Sequence, residues 1–240
     1  MIDGDLLVYR VGFATQKSRF SEAQRQVTNW MEKIMEKFDT VHYHLYLSDS
    51  EGNFRKQIDP NYKANRKVEK PKYYEKIINY MLDEWNAEIA WGQEADDAMG
   101  IKQRSLLGEG YPQQMKSVIC TIDKDLNQVA GFHYNFINDH QYVIPEVQGL
   151  KNFYLQLLIG DTVDNIIGLG GIGPVKAQRI LQGCTTEPEL FIAAYKAYKS
   201  FYKDSEQAEE EMLKTGRLVK IRQFPDEMWE FPNVKLQSNG

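Results

Sequence analysis

Acidic side chains stand at the ends of several apolar segments, and this pattern constrains the fold more than any other feature of the chain. The acidic groups are Asp3 with Asp5, Asp49, Glu94 with Asp96 and Asp97, and Asp123 with Asp125. The last three groups follow segments rich in β-branched, aromatic and aliphatic residues, at 41–47, 87–91 and 117–122, which we predict to be strands. Ligands of open α/β sheets gather outside the carboxyl ends of the strands, so we expect these acids to meet at one edge.

Helical periodicity between the predicted strands indicates the fold class. Apolar residues recur at helical spacing over 27–38 and 74–85, while 6–11 is a further apolar run that we predict to be a strand. The alternation favours an α/β fold with a mostly parallel central sheet flanked by helices. Beyond residue 149 the patterns are helical. We therefore predict an α/β core at 1–149, a helical part at 150–223 and a C-terminal tail at 224–240.

A cluster of carboxylates needs cations, because like charges that converge would otherwise take up protons or separate. The two cysteines and four histidines follow no zinc-binding pattern, so the ligands would be hard oxygens, which favour Mg²⁺ or Mn²⁺. Two such ions about 4 Å apart can clamp the attacking and leaving oxygens of a phosphodiester hydrolysis. Any single acid here, Asp5 above all, is also explained as a helix cap, but the groups taken together favour a shared site.

The distribution of charge points to a phosphate-binding face more than the net charge of −5 does. Residues 55–72 contain seven basic residues against two acidic ones. On charge alone, a solvated loop explains this run as well as a nucleic-acid contact does. No apolar run approaches the roughly 18 residues of a membrane span, and the N-terminus lacks the layout of a signal peptide, so we expect a soluble intracellular protein.

Glycines cluster in the segment GDTVDNIIGLGGIGPVKAQRIL at 160–181, together with the acid pair Asp161 and Asp164. Glycines before a helix start expose backbone amides to a phosphate, and the helix dipole adds to that attraction. The segment therefore predicts a hairpin between two helices that grips a nucleic-acid backbone without reading bases. The alternative is a glycine-rich turn without a ligand, whereas a mononucleotide loop is disfavoured because GxxxxGK[ST] is missing.

The motifs of the chain resemble those of the 5′-nuclease superfamily, which includes phage 5′-3′ exonucleases, the 5′-nuclease domain of bacterial DNA polymerases and flap endonucleases. The matching pieces are IDGD at 2–5, YKANR at 62–66, EADD at 94–97, TIDKDL at 121–126 and GDTVDNIIGLGGIGPVKA at 160–177. Each piece is weak alone, but all five occur in the family's order over residues 1–185. The resemblance implies a PIN-like nuclease core followed by a helix–hairpin–helix DNA-binding element.

The resemblance also implies roles for individual residues. One metal ion would be surrounded by Asp3, Asp49, Glu94, Asp96 and Asp97, and a second would be held by Asp123, Asp125, Asp161 and Asp164. Lys63 and Arg66 would sit beside the scissile phosphate, where their charge stabilises the developing oxyanion. Tyr62 would stack on a terminal base, and Arg10 would contact a phosphate of the substrate. Further DNA contacts would come from Lys67, Lys70, Lys72, Gly171, Gly173, Lys176 and Arg179.

The implied activity is a Mg²⁺-dependent 5′-3′ exonuclease with structure-dependent, flap-type endonuclease activity on DNA, which uses two metal ions and leaves 5′-phosphate products. Mn²⁺ would substitute for Mg²⁺, and a potassium ion would lie on backbone carbonyls of the hairpin. The partner would be duplex DNA with a 5′ end, nick or flap, bound by a monomer without membrane association in the cytoplasm of a bacterial or phage-infected cell. The alternatives are a noncatalytic structure-specific DNA-binding protein of this fold, from which we would expect lost ligands, and a metal-dependent ribonuclease, which would not need the hairpin.

One departure from the family concerns the route of a single strand into the site. Relatives place a helical arch between the YKANR and EADD motifs, and single-stranded 5′ ends pass beneath it. Only the 27 residues 67–93 separate the two motifs here. Any arch must therefore be short, and we assign it to residues 67–74.

Overall fold

A mixed six-stranded sheet forms the centre of the protein, whose computed structural model describes residues 1–66, 69–107 and 116–234. In spatial order its strands are β3 (Glu88–Ala90), β2 (Leu45–Ser48), β1 (Ile2–Asp3), β4 (Val118–Cys120), β5 (Gly131–Asn135) and β6 (His140–Ile144). Every neighbouring pair is parallel except the hairpin of β5 and β6. The predicted mostly parallel sheet is thus confirmed. The predicted strands were too long at their ends, and the β5–β6 hairpin was not predicted.

Helices cover both faces of this sheet and continue beyond it. They are α1 (Gly4–Ala14), α2 (Phe20–Lys37), α3 (Arg55–Ile58), α4 (Tyr74–Trp85), α5 (Ala95–Leu106), a 3-10 turn (Asp125–Gln128), α6 (Glu146–Ile159), α7 (Pro174–Ile180), α8 (Glu187–Tyr202) and α9 (Ser205–Val219). Apolar faces of α1, α2 and α4 share one cluster with Ile2 and Leu45 of the sheet. Met99 of α5 belongs to a second cluster with Ile119 of β4. Helical patterns of the sequence therefore located these elements well.

Residues 6–11 are helical, so the prediction of a strand there was wrong. The side chain of Asp3 caps α1 by accepting a hydrogen bond from the backbone amide of Leu6 at 3.0 Å. Leu7, Val8 and Val11 are then all buried. A short apolar run that is buried on most sides has the same composition in a helix and in a strand, which explains the error.

The helical part after the sheet has a hydrophobic cluster of its own, which includes Phe153, Tyr198 and Met212 from α6, α8 and α9. The tail contributes to it, since Trp229 is only 6% exposed and its ring lies against Phe153. Gly216 makes this possible, because a Cβ there would lie 2.1 Å from the Trp229 ring. The domain boundaries proposed from the sequence stay a prediction. Within the described residues, no helix is long and apolar enough to cross a membrane.

Candidate active site

A cleft of about 1000 Å³ opens where the parallel strands end. Its acidic lining residues are Asp3, Asp5, Asp49, Glu94, Asp96, Asp123, Asp125, Asp161 and Asp164. The sheet register explains the convergence, because Ile2 of β1 pairs with Leu45 of β2 and with Cys120 of β4, so adjacent strands end side by side. The structure thus brings together eight of the nine predicted ligands and adds Asp5, whereas Asp97 is not part of the lining.

The acids at the end of β1 lie in a poorly solvated position. Asp3 accepts hydrogen bonds from the Leu6 amide and, at 2.8 Å, from the Thr121 hydroxyl. Burial nevertheless raises the pKa of Asp3 to about 7, and the charge of Asp5 adds to the effect. Burial also raises the pKa of Asp5, which accepts from the Ser48 amide at 3.2 Å. The sequence allowed Asp5 to be the helix cap, but that role belongs to Asp3.

Burial and neighbouring acids raise the pKa of two further acids of the cleft. Burial, together with the charges of Asp3 and Asp123, raises the pKa of Asp96 well above its usual value. Burial and the charge of Asp123 raise the pKa of Asp125 to about 7, and the acids of the glycine-rich segment contribute as well. Gln156 donates a hydrogen bond to Asp125 and opposes this shift. An excess of carboxylate oxygens with a deficit of positive charge is the chemistry that a hard divalent cation satisfies.

Asp49 differs from these acids because backbone amides surround it. It accepts hydrogen bonds from Gly92 and Gly52, each at 3.0 Å, and from Glu51 at 3.1 Å. These bonds lower its pKa. Asp49 therefore lines the cleft and also closes the loop after β2.

Asp97 departs from the predicted ligand set, because the protein itself occupies both of its carboxylate oxygens. Arg55 donates to them at 2.6 and 2.9 Å, and the Arg222 amide donates to one of them at 3.0 Å. Burial alone would raise the pKa of Asp97, but the charge and hydrogen bonds of Arg55, together with hydrogen bonds from the Arg222 and Glu94 amides, lower it. Asp97 is fully buried and has no oxygen directed to the cleft that a metal ion would find free. We assign it a structural role.

Lys63 and Arg66 lie against the acids of the cleft, and their role beside a scissile phosphate stays a prediction. The Lys63 ammonium contacts Glu94 and lies 3.5 Å from Asp164, while Arg66 contacts the other oxygen of Asp164. Lys63 adopts a left-handed backbone conformation with φ of 57°, and its amide donates to the Asp164 carbonyl at 2.8 Å. The side chain of Asn65 also donates to the Thr162 carbonyl at 2.8 Å. The YKANR turn is thus fixed to the loop that carries Asp161 and Asp164.

These two cations explain why the acids do not already form a metal-binding cluster. In the part of the chain that the structure describes, no group of three or more acidic, histidine or cysteine side chains is arranged to hold a metal ion. The Glu94 and Asp164 carboxylates turn toward Lys63 and Arg66 instead. The donor set fits a divalent ion by its chemistry, since the cleft offers carboxylate oxygens with raised pKa values and no competing sulfur or imidazole.

Tyr62 does not fit its predicted role as a stacking platform. Its ring is 4% exposed, and its hydroxyl lies 3.0 Å from both Glu94 and Asp164. Burial raises its pKa, followed by the charge of Glu94. A phenol held in this way orients the two acids and leaves no ring face for a base.

Only some of the residues predicted to contact DNA lie beside the cleft. Arg10 is exposed, but its guanidinium packs 5.5 Å from the centre of the Trp30 ring and is not a lining residue. Lys70 lies over Tyr74, which lines the cleft, and Lys72 lies over Tyr73. Lys67 is outside the described residues, as is part of the proposed short arch. The arch ends where α4 begins, at Tyr74.

The glycine-rich segment connects helices α6 and α7, and its identity as a DNA-binding hairpin stays a prediction. Helix α6 leads into a two-stranded sheet of β7 (Gly160–Asp161) and β8 (Ile166–Ile167), and α7 begins at Pro174. Gly171 has a φ of 74°, and a Cβ at Gly171 or Gly173 would meet no atom within 4 Å, so the loop backbone faces open space. Lys176 donates to the Gly171 carbonyl at 2.8 Å, and Arg179 is exposed. Since an ammonium group already contacts that carbonyl, the potassium ion stays a prediction.

Sequence reasoning missed the residues that hold the cleft together. Arg55 was one member of a basic run, yet it is 2% exposed and donates to the Leu218 carbonyl at 2.8 Å and the Lys220 carbonyl at 2.6 Å. We call residues 218–222, which follow the body of α9, the C-terminal strap. The Arg222 guanidinium lies 3.7 Å from the centre of the Phe54 ring, and Gln128 binds the Val219 carbonyl at 2.8 Å. No motif marks this strap in the sequence.

Comparisons with known proteins agree with the geometry. The family described as 5′-3′ exonuclease, N-terminal resolvase-like domain, matches residues 1–154. DNA polymerase I of Pseudomonas aeruginosa is 26% identical over 215 residues, which cover 81% of this chain and 23% of the polymerase. The exonuclease of Escherichia phage T7 is 24% identical over 200 residues, covering 72% of this chain and 66% of that protein. The chain thus spans about a quarter of the polymerase and about two thirds of the phage enzyme.

The fold matches solved structures of a phage protein. The T5 D15 protein co-crystallised with metal ions superposes with a TM-score of 0.68 at 18% identity, over 92% of this chain and 88% of that one. The T5 5′-exonuclease with bound divalent zinc has the same TM-score and identity, over 91% and 87% of the two chains. At this identity the likeness establishes the shared fold, including the helical part beyond the sheet.

Proposed function

The chain belongs to the 5′-3′ exonuclease family, and from this premise we propose that it is a Mg²⁺-dependent 5′-3′ exodeoxyribonuclease with flap-type endonuclease activity that leaves 5′-phosphate products. The observation that carries the proposal is the convergence of carboxylates from four strand ends on one cleft, beside Lys63 and Arg66. Bound cations stabilise the ionised form of buried acids whose pKa values are raised to about 7, and phosphodiester hydrolysis uses such cations.

Two groups of acids are suited to two Mg²⁺ ions. One comprises Asp3, Glu94 and Asp96 with Asp49 nearby, and the other comprises Asp125, Asp161 and Asp164, with Asp123 between the groups. When bound, two such ions supply charge neutralisation at the phosphate and activation of the attacking water. The structural neighbours from phage T5 contain metal ions, which supports the same chemistry here. Mn²⁺ prefers the same oxygen ligands and is expected to substitute.

Lys63 and Arg66 would stabilise the transition state through their positive charge. Both contact acids of the proposed ligand set, Glu94 and Asp164. With those acids holding a divalent cation, Lys63 and Arg66 would be free to turn to the phosphate. Tyr62 keeps Glu94 and Asp164 in place through its hydroxyl. Cations positioned in advance at developing negative charge contribute several kcal/mol in typical enzymes, about 3 to 4 for one donor.

The glycine hairpin would hold the duplex through its backbone. The space beside the Cα atoms of Gly171 and Gly173 is open, and Lys176 and Arg179 are exposed on α7. Lys70 and Lys72 are exposed near the other side of the cleft mouth. Contacts of this kind position a duplex without reading its sequence. We therefore propose binding to duplex DNA near a 5′ end, a nick or a flap.

A cleavage assay tests this proposal directly. Duplex, 5′-flap and single-stranded DNA, and RNA of the same sequence, each labelled at the 5′ end, are incubated with the protein in Mg²⁺ or in EDTA. We expect short labelled products from DNA in Mg²⁺ only. Asp123→Asn and Asp164→Asn should each abolish cleavage while the affinity for DNA persists. Full activity of both variants would refute the assignment of the metal site, and selective cutting of RNA would refute the substrate.

A further inference from the structure

Trp91 is more exposed than any other phenylalanine or tryptophan in the described residues, with 75% of its surface accessible. The other tryptophans pack against aromatic rings: Trp30 against Phe136, Trp85 against Tyr43 and Trp229 against Phe153. Leaving so large a ring in water forgoes the stabilisation that its burial would give. Trp91 therefore contributes little to folding, and its exposed ring is accessible to a ligand.

The backbone on both sides of Trp91 is fixed to the wall of the cleft. The Trp91 amide donates to the Ile89 carbonyl at 3.0 Å. The next amide, of Gly92, donates to Asp49 at 3.0 Å, and the Gly92 carbonyl accepts from Phe54 at 3.0 Å. Asp49 itself lines the cleft. The ring thus stands on a rigid turn at the rim, which lowers the entropy cost of binding a ligand.

The order of the strands places Trp91 at one end of the row of acids. Along the carboxyl edge, Trp91 follows β3, Asp49 follows β2, Asp3 ends β1 and Asp123 lies three residues beyond β4. The charges of Asp161 and Asp164 act on Asp125 at the other end of this row, and Asp164 also lies 3.5 Å from Lys63, the partner of Glu94. Trp91 follows β3 two strand spacings from β1, roughly 10 Å. That distance corresponds to about three stacked nucleotides at 3.4 Å each.

We propose that Trp91 is a stacking platform for an unpaired base of the cleaved strand, about three nucleotides from the scissile phosphate. The inference rests on the proposed function, because it assumes that the hairpin holds the duplex. The aromatic face accepts any base, so the contact selects unpaired DNA without selecting sequence. Lys56, which lines the same end of the cleft and donates to the Ser50 carbonyl at 2.8 Å, supplies positive charge for the adjoining phosphate.

The test compares flaps that are too short and long enough to reach the ring. Dissociation constants are measured in Mg²⁺ for 5′ flaps of one and of six nucleotides, with the protein carrying Asp164→Asn to prevent cleavage. Adding Trp91→Ala should weaken binding of the long flap about 5- to 150-fold, the range for one lost base stack. Binding of the short flap should change less than about twofold. Trp91→Phe should keep most of the affinity, whereas Trp91→Leu, which is apolar but not aromatic, should behave as Trp91→Ala.

Val41→Ala is the matched control, because Val41 is 80% exposed and precedes β2, at the amino ends of the strands and away from the cleft. It should leave both affinities unchanged. Equal affinity of Trp91→Ala and its parent for the long flap, or an equal loss for both flaps, overturns the proposal. Cleavage by otherwise unmodified protein separates this failure from that of the proposed function: a protein that cuts DNA equally well with and without Trp91 refutes only the stacking site, while one that cuts no DNA refutes the function.

Discussion

Asp96 and Asp97 are adjacent in α5, yet their electrostatic surroundings differ. Other acids lie around Asp96, whereas an arginine pairs with Asp97. Residues one apart on a helix point about 100° apart, so one carboxylate faces the cleft and the other faces the interior. Asp96 meets Asp3 and Asp123, and its pKa is raised by burial and by those charges. Asp97 pairs with Arg55, whose charge and hydrogen bonds, together with those of two backbone amides, outweigh the effect of burial and lower the pKa. The same residue type thus serves a ligand site on one side and the framework on the other.

The comparison extends to the surroundings of each acid. Around Asp97 the charges balance, and Arg55 also binds two carbonyls of the C-terminal strap. Around Asp96 negative charges are in excess, so their repulsion destabilises the folded protein until a cation binds. The rigid ion pair of Arg55 and Asp97 keeps the neighbouring acids of the cleft in place despite their mutual repulsion. Measurements of the free energy of unfolding can separate the two regions.

Replacing Arg55 by methionine should produce the largest effect. The change keeps much of the volume but leaves the Asp97 charge buried without its partner, and loss of one member of a buried pair costs about 3 to 5 kcal/mol. The free energy of unfolding from urea denaturation should fall by that amount. Adding Asp97→Asn to the variant should restore about 1 to 3 kcal/mol, because the amide oxygen still accepts from the Arg222 amide without carrying charge. A loss below about 1 kcal/mol for Arg55→Met would show that the pair is not a framework contact.

The unbalanced region should show itself in the pH dependence of the metal-free protein. Asp3 and Asp125 have pKa values of about 7 in the folded state, well above those of the unfolded chain, so the folded state binds more protons and loses stability as pH rises through 7. Between pH 6.5 and 8 the titration of Asp3 and Asp125 should lower the free energy of unfolding in EDTA by about 1 to 2 kcal/mol. Burial lowers the pKa of His133 to about 4 and also lowers the pKa of the Met1 amino group, so both groups bind protons more tightly in the unfolded chain and oppose this fall.

Two comparisons check the source of this slope. Asp125→Asn should remove about half of it, whereas Glu210→Gln, at an exposed position of α9, should leave it unchanged. Saturating Mg²⁺ should flatten the slope in the unmodified protein, because a bound cation favours the ionised carboxylates. An Asp125→Asn protein with the same slope as the unmodified protein in EDTA would contradict the charge deficit.

The sequence predicted the unbalanced region far better than the balanced one. Acids at strand ends are visible as local patterns, and parallel pairing brings such ends together, so eight of the nine predicted ligands line the cleft. The distinction between Asp96 and Asp97 is not local, since it depends on Arg55, 42 positions earlier, and on the strap more than a hundred positions later. Tyr62 was misassigned for the same reason. Its hydroxyl contacts Asp164, 102 positions away, which no spacing in the sequence reveals.

Replacing Lys63, a cation that contacts the acids of the cleft, should have the smallest effect on the free energy of unfolding. Unlike Arg55, it is 22% exposed in its side chain, so Lys63→Ala should change the free energy of unfolding by less than about 0.5 kcal/mol. The single-turnover cleavage rate should nevertheless fall about 100- to 1000-fold, because a charge positioned at the phosphate is lost.

Lys203→Ala is a matched control for Lys63→Ala, since Lys203 also has a left-handed backbone, with φ of 61°, but is exposed and far along the chain from the cleft motifs. It should alter neither stability nor rate. If Lys63→Ala left the single-turnover rate unchanged, Lys63 would be only a counter-ion of Glu94. If it destabilised the protein as much as Arg55→Met, the two regions would form one framework, and the contrast between Asp96 and Asp97 would not extend beyond those two side chains.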